Sequence, residues 1–392
     1  MSVTVGIPRE TLPGERRVAI TPRHCEALRK SGVEVILEHL AGAEAGFTDE
    51  AYLTRGVRLS SRAEIFQTAE IIAQVRCLGA NPREGLADLP LLRSGQGLIG
   101  FGEPLTALKE CSELAEAGAS FFALELVPRI TRAQSMDALS SMATVAGYRA
   151  VLLAASHLPK MFPMLMTAAG TVTPAKVFVL GAGVAGLQAI ATARRLGAVV
   201  CAYDVRPAVK EQVESVGAKF VSLDVDAQQS QDKGGYAKAM DEAFYRRQRE
   251  LMTDVLREQD VVITTAAVPG RKAPILITAD MVSAMCRGSV IVDIAAERGG
   301  NCEVTRAGEN IMHNGVVVLG PVNVASMVPY HASQMLSSNI VAFLKLLTAN
   351  GSFAVNQEDE IVRETLVTHA GRVVHPRVSE LLASQSGNTV NA

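Results

Sequence analysis

The chain is 392 residues long, 48% hydrophobic and 20% charged, with a net charge of −2 at pH 7. That length allows two domains with sizeable cores, and the near-neutral balance leaves no electrostatic footprint for nucleic acid or an anionic membrane surface. No apolar run is expected to reach the roughly 18 residues of a spanning helix. The start, MSVTVGIPRE, enters a strand-like pattern without signal-peptide organisation, so a soluble chain that stays where it is made is expected. The six cysteines are scattered without a C-x-x-C pair and read as buried reduced thiols. The seven histidines show no metal-ligand spacing, and no metal site is expected.

In chain order, residues 3–7 read as a strand, followed by the polar loop PRETLPGERRVAITP. Helical spacing over 22–31 stops at Gly32, and a strand follows at 33–37. A short helix at 63–69, strands at 71–75, 97–102 and 120–125, and a helix at 106–117 complete the first third. Strand alternating with helix predicts a mostly parallel sheet covered on both faces.

The next stretch, VPRITRAQSMDALSSMATVAGYRAVLLAASHL, predicts a long helix N-capped by Ser135 and running to about Leu158. Arg129 and Arg132 precede it, and Asp137 and Ser140 fall in its first turns. These polar residues suit either the wall of a cleft or a solvated basic loop beside a capped helix.

Residues 176–204 carry the sharpest pattern. The apolar run 177–180 reads as a buried strand and leads directly into Gly181, Gly183 and Gly186 in G-x-G-x-x-G spacing. A helical stretch to Gly197 and a second apolar run ending in Asp204 follow. Gly181 permits a tight turn, Gly183 lets backbone approach a pyrophosphate, and Gly186 lets helix and strand pack closely. The helix N-terminus offers N–H groups to phosphate, and a carboxylate at Asp204 can accept from a ribose 2′-hydroxyl. The unit therefore predicts a dinucleotide site favouring NAD over NADP, with Arg206 as the counter-argument, because a guanidinium there suits a 2′-phosphate.

A strand at 218–223 precedes the polar segment DVDAQQSQDKGGYAKAMDEAF, which reads as a nucleotide lid hinged at Gly234 and Gly235 or as a plain surface loop. Strands at 260–266, 289–295 and 316–319 bring the second set to six, the number in a full doubly wound dinucleotide fold. A second long helix is expected at 330–347, and the tail SQSGNTVNA reads as frayed.

The segments IPRETLPGERRVAITP, RITRAQSMDALSS, MTAAGTVTPAKVFVLGAGVAGLQAIATARRLGA, KGGYAK, VIVDIAAERGGN and VVHP together carry a family resemblance. The chain resembles the NAD(H)-binding subunit of proton-translocating NAD(P) transhydrogenase, in the alanine dehydrogenase/transhydrogenase family, over essentially its whole length. The resemblance implies an α/β fold of two Rossmann-like doubly wound domains joined by long helices. One domain would be residues 1–138 completed by 330–392, and the NAD-binding domain 139–329. It further implies reversible hydride transfer between NADH and NADP⁺ coupled to proton movement, with NAD(H) on this chain and NADP(H) on a partner subunit. Separate NADP-binding and membrane-embedded subunits, a homodimer, and a cytoplasmic place peripheral to the inner membrane are implied as well. Some members carry membrane helices fused after this domain; the chain ends without them, which predicts a separate membrane polypeptide.

Carried over by position, the resemblance implies that Arg129, Ile130, Thr131, Gln134, Ser135, Met136 and Asp137 surround the nicotinamide end, with Ser140 nearby. Val184, Ala185 and Gly186 would meet the pyrophosphate, and Asp204, Val205 and Arg206 the adenosine ribose. Gly235 and Tyr236 would belong to a mobile loop, with Gln248 just after it and Ala267 at a further contact. Direct transfer between two nicotinamides needs no nucleophile or general base, so the protein's work is position and exclusion of water. On that basis Arg129, Asp137 and Ser140 would orient the carboxamide, and Gln134 would reach toward the facing nucleotide.

Two rival readings remain. Arg17 matches the arginine that meets the substrate carboxylate in alanine dehydrogenases, but Gln74 and Phe101 stand where those enzymes carry a lysine and a histidine. An imine reduction would thereby lose its acid–base pair. A non-catalytic NAD-binding module that senses redox state needs the glycines but not RAQSMD.

Overall fold

The computed structural model describes residues 2–222, 242–267, 270–349 and 351–388, without the side chains of 242–245, 248 and 386–388. The chain divides into two compact units: residues 1–142 with 326–392, and residues 143–325.

The strands of the first unit begin with β1 Val3–Ile7, β2 Val33–Glu38, β3 Arg58–Ser60, β4 Ile71–Arg76, β5 Gly97–Phe101 and β6 Ser120–Ala123. The second unit holds β7 Leu165–Thr167, β8 Gly170–Val172, β9 Lys176–Leu180, β10 Val199–Tyr203, β11 Lys219–Phe220 and β12 Val261–Thr264. It continues with β13 Val290–Asp293, β14 Asn310–His313 and β15 Val316–Leu319, and the first unit closes with β16 Leu366–His369 and β17 Arg372–Val373.

Both main sheets share one plan. In the first unit the order is β17-β16-β6-β5-β4-β1-β2-β3; in the second it is β11-β10-β9-β12-β13-β15-β14. Ranking the parallel strands of each by chain order gives 3-2-1-4-5-6 in both, the doubly wound arrangement. The central strands read as unbroken apolar runs because helices cover both faces: β5, β6, β12 and β13 are buried at every position. In the second unit Val177, Val179, Val261, Ile263 and Val290 form one core with Ala189, Ile190 and Ala193 of helix Val184–Arg195.

Four features correct the expectations. Helix Ala138–His157 does meet the length and hydropathy of a spanning segment, at mean hydropathy 1.3, so the expectation of no such run was wrong. The helix nevertheless belongs to a protein core, since Ala150, Val151 and Ala154 are fully buried against Val177 and Val179. Its cap is Asp137 rather than Ser135: Asp137 Oδ1 accepts from Ser140 N at 2.9 Å and Oδ2 from Ser140 Oγ at 2.6 Å. Ser135 lies instead in the 3-10 helix Thr131–Met136. The strand count also rises, since parallel β3 and antiparallel β14, β16 and β17 extend the two sheets and β7 with β8 forms a separate hairpin. Finally, helix Glu242–Arg257 fills the stretch between the polar segment and β12, where no element was expected.

The chain leaves the first unit within helix Ala138–His157 and returns to it just before helix Pro329–Leu347. Ligands of such sheets bind at the carboxyl ends of the strands where the order reverses. That point is β9/β12 in the second unit and β1/β4 in the first.

Candidate functional site

In the second unit β9 ends in the glycine turn. Gly181 has φ +97°, a conformation that L side chains rarely adopt, and its N–H bonds Tyr203 O at 2.8 Å. A Cβ on Gly186 would stand 1.9 Å from Gly181 O, so only glycine lets the helix start so close to the strand. A Cβ on Gly183 would meet nothing within 4 Å. Gly183 caps the N-terminus of the 12-residue helix Val184–Arg195, whose first N–H groups have no carbonyl one turn back. Open space thus adjoins a helix end that attracts an anion. The residues suit a pyrophosphate.

Asp204, just past β10, ties that turn to the next strand. Its Oδ2 accepts from Ala182 N at 2.7 Å and from Arg206 Nη2 at 2.8 Å; its Oδ1 accepts from Arg206 N and Nε, both at 2.9 Å. The guanidinium of Arg206 is therefore folded onto the carboxylate, with Asp204 buried and the Arg206 side chain 13% exposed. Val205 lies between them, half-buried.

The wall across the reversal point follows β12. Thr265 Oγ1 donates to Gly181 O at 3.0 Å, which locks the two turns together. Asn301, fully buried, holds the next residue on both sides: its Oδ1 accepts from Ala266 N at 3.0 Å and its Nδ2 donates to Ala266 O at 2.8 Å and Pro274 O at 3.0 Å. Asp293, at the end of β13 and also fully buried, in turn accepts from Asn301 N, Cys302 N, Ala295 N, Thr264 Oγ1 and Thr305 Oγ1 within 3.1 Å. Five donors offset the cost of burying that carboxylate. Asn301 and Asp293 were not anticipated; the signal available was only their place in VIVDIAAERGGN, directly after a strand. Ala267 follows this clamp and is exposed.

The remaining expected residues of the second unit, Gly235 and Tyr236, lie outside the described residues, as does the side chain of Gln248, whose backbone belongs to helix Glu242–Arg257.

In the first unit the segment 129–140 is one continuous feature. Arg129 is exposed, Ile130 stands at the N-cap of the 3-10 helix Thr131–Met136, and Ala133 and Met136 turn inward. Thr131, Gln134 and Ser135 are exposed, and Asp137 with Ser140 forms the helix cap described above. The residues that the resemblance assigns to a nicotinamide end thus lie along one strip of this unit, next to one another in sequence.

The same unit answers the amino-acid dehydrogenase reading at its own reversal point. Arg17 is buried and spent on Glu15, with Nε to Oε1 at 2.7 Å and Nη2 to Oε2 at 2.5 Å. Burial opposes ionisation of Glu15, but Arg17, its hydrogen bonds and Arg76 outweigh it and bring the carboxyl down to about 2. Its neighbour Glu10 is pushed up to about 8 by burial and then by the Glu15 charge. Gln74 is buried and donates to Asp88 Oδ2 at 3.0 Å, while Asp88 is paired with Arg62. Phe101 is buried. Neither residue can move a proton.

Comparison with known proteins finds matches along most of the chain. Residues 6–146 match the family described as alanine dehydrogenase/PNT, N-terminal domain, and residues 150–376 match alanine dehydrogenase/PNT, C-terminal domain. The chain is 47% identical over 377 residues to NAD(P) transhydrogenase subunit alpha of Cereibacter sphaeroides, covering 95% of this chain and 71% of that one. It is 44% identical over 379 residues to a NAD(P) transhydrogenase subunit alpha polypeptide of Rhodospirillum rubrum, covering 96% and 98%. Among solved structures, the transhydrogenase from Sinorhizobium meliloti superposes with a TM-score of 0.85 at 44% identity, over 95% of this chain and 100% of that one. With both domains matched in sequence and in fold, the chain belongs to the alanine dehydrogenase/PNT family and is similar throughout to transhydrogenase alpha subunits.

Proposed function

We propose that the chain is the NAD(H)-binding subunit of a proton-translocating NAD(P) transhydrogenase. The observation that carries this reading is the glycine turn, whose open position at Gly183 adjoins a helix N-terminus and is hydrogen-bonded to Asp204 through Ala182. Val184, Ala185 and Gly186 would hold the pyrophosphate through backbone N–H groups, and Asp204 the adenosine ribose. Pairing of Arg206 with Asp204 supports NAD(H) over NADP(H), because the guanidinium is already matched by a carboxylate.

When bound, the dinucleotide supplies a transferable hydride on its nicotinamide. The chain's own residues bind and orient: Arg129, Asp137 and Ser140 act on the carboxamide side, and Gln134 acts toward the NADP(H) held by a partner subunit. Separate NADP-binding and membrane-embedded subunits would complete the enzyme and couple transfer to proton movement, placing this chain at the cytoplasmic side of the inner membrane. A homodimer is supported by the β7–β8 hairpin, where Met164 and Met166, two residues apart, are 57% and 79% exposed. Apolar side chains that open to water favour a partner surface.

The alanine dehydrogenase alternative is disfavoured by Glu15 closing Arg17 and by Gln74 bound to Asp88. Fluorescence titration tests the cofactor assignment. The reading expects NADH to bind at least about tenfold tighter than NADPH; equal affinity, or none for NADH, would refute it.

A further inference from the structure

The strip that carries Gln134 is held in place from far along the chain. A six-residue 3-10 helix has poor internal hydrogen bonding, and here the bond from Asp137 N to Gln134 O is 3.3 Å long. Two tethers flank Gln134. On one side Arg132 forms a bidentate pair with Asp359, Nη1 to Oδ2 at 2.7 Å and Nη2 to Oδ1 at 3.0 Å. On the other, Asn339 Nδ2 in helix Pro329–Leu347 donates to Ser135 O at 2.9 Å.

Neither tether looks like a stability device. The Arg132 side chain is 53% exposed, and exposed ion pairs contribute little. Asn339 is only 6% exposed, and its Oδ1 is buried without a partner among the described residues. A position selected for stability alone would favour an apolar residue over an amide left half unmatched. Asp359 is itself aimed by its helix cap, accepting from Ile361 N at 2.8 Å.

We propose that Arg132, through Asp359, and Asn339, through the Ser135 carbonyl, are positioning residues that set the backbone carrying Gln134. The C-terminal residues of the first unit thereby tune hydride transfer rather than nucleotide affinity. The inference rests on the transhydrogenase reading above.

Stopped-flow transfer from NADH to an NADP⁺-loaded partner component, alongside NADH titration and thermal melting, tests it. Arg132→Ala and Asp359→Asn are each expected to slow transfer about tenfold with NADH affinity and melting temperature essentially unchanged. The double variant should be no slower than either single, since both remove one interaction, and Arg132→Lys should recover some of the loss. Asn339→Leu should slow transfer while melting at or above the wild-type temperature. Unchanged transfer in these variants, or losses of rate that follow losses of affinity and melting temperature, would overturn the proposal while wild-type transfer stands. Absence of wild-type transfer would overturn the functional reading and this inference with it.

Discussion

Glu125 shows how one side chain can make stability depend on pH without touching the candidate site. Its Oε1 accepts from Gly102 N at 2.8 Å and Glu103 N at 2.5 Å, while its Oε2 is buried without a partner among the described residues. Burial first, then the charge of Glu103, pushes its pKa from 4.5 up to about 7. A carboxyl raised in the folded state is a penalty when ionised: stability falls as pH rises from 4.5 to about 7 and stays lower above that. Glu125→Gln keeps both bonds to its oxygen and cannot ionise. It should melt a few degrees above wild type at pH 8.5 and level with it near pH 4, below the 4.5 at which the loss begins; an equal difference at both pH values would rule the mechanism out. Glycine spacing and the acid at the second strand end have signatures that a sequence displays, so Gly181, Gly186 and Asp204 were legible. Arg206 was legible only as a question, because which of two neighbouring charges it meets depends on rotamer. Asn301 showed in the sequence only through its place in VIVDIAAERGGN, since its partners are backbone groups 35 and 27 residues away.

At the scale of elements, apolar runs between helical stretches announced the parallel strands that are buried on both faces, but not the edge strand β3, whose Arg58-Leu59-Ser60 is three residues long and largely polar. The hairpins were harder. Asn314 and Gly315, both at positive φ, join β14 to β15 in the manner that Asn-Gly favours, a turn signal that short flanking strands made easy to pass over. Ala370-Gly371 does the same between β16 and β17 with a weaker residue, so composition hid it. Ser135 and Asp137 are equally good caps by propensity, and Asp137 wins because its carboxylate reaches both Ser140 N and Ser140 Oγ. The glycine turn offers a contrast that tests its assigned role. Gly183→Val should leave the melting temperature near wild type and weaken NADH binding about 100-fold, or ~3 kcal/mol, because its side chain enters open space meant for phosphate. Gly186→Val, which must collide with Gly181 O, should instead lower the melting temperature. Calorimetry and titration of the pair check this; unchanged NADH binding in Gly183→Val would remove the pyrophosphate assignment. The β7–β8 hairpin carries a parallel test of the proposed homodimer: in sedimentation velocity wild type should run as a dimer and Met166→Asp should shift toward monomer, and an unchanged dimer in the variant would take the hairpin out of the proposed interface.

For the whole molecule, two α/β domains were legible as strand–helix alternation, whereas the shared 3-2-1-4-5-6 order was not, and the second sheet carries the glycine turn at Gly181. The first has its strand-end charges closed upon each other, Glu15 on Arg17 and Arg62 on Asp88, and presents the 129–140 strip instead. The second unit thus has a glycine turn that suits a dinucleotide, and the first has Gln74 and Phe101, neither able to transfer a proton, where an amino-acid dehydrogenase would need a lysine and a histidine. The most direct test of that account mixes the purified chain, loaded with NADH, with an NADP⁺-loaded transhydrogenase partner component and follows the formation of NADPH. The account predicts rapid transfer that requires both components and no oxidation of NADH by pyruvate and ammonium. Tight NADH binding without transfer to the partner, or turnover with pyruvate and ammonium, would contradict it.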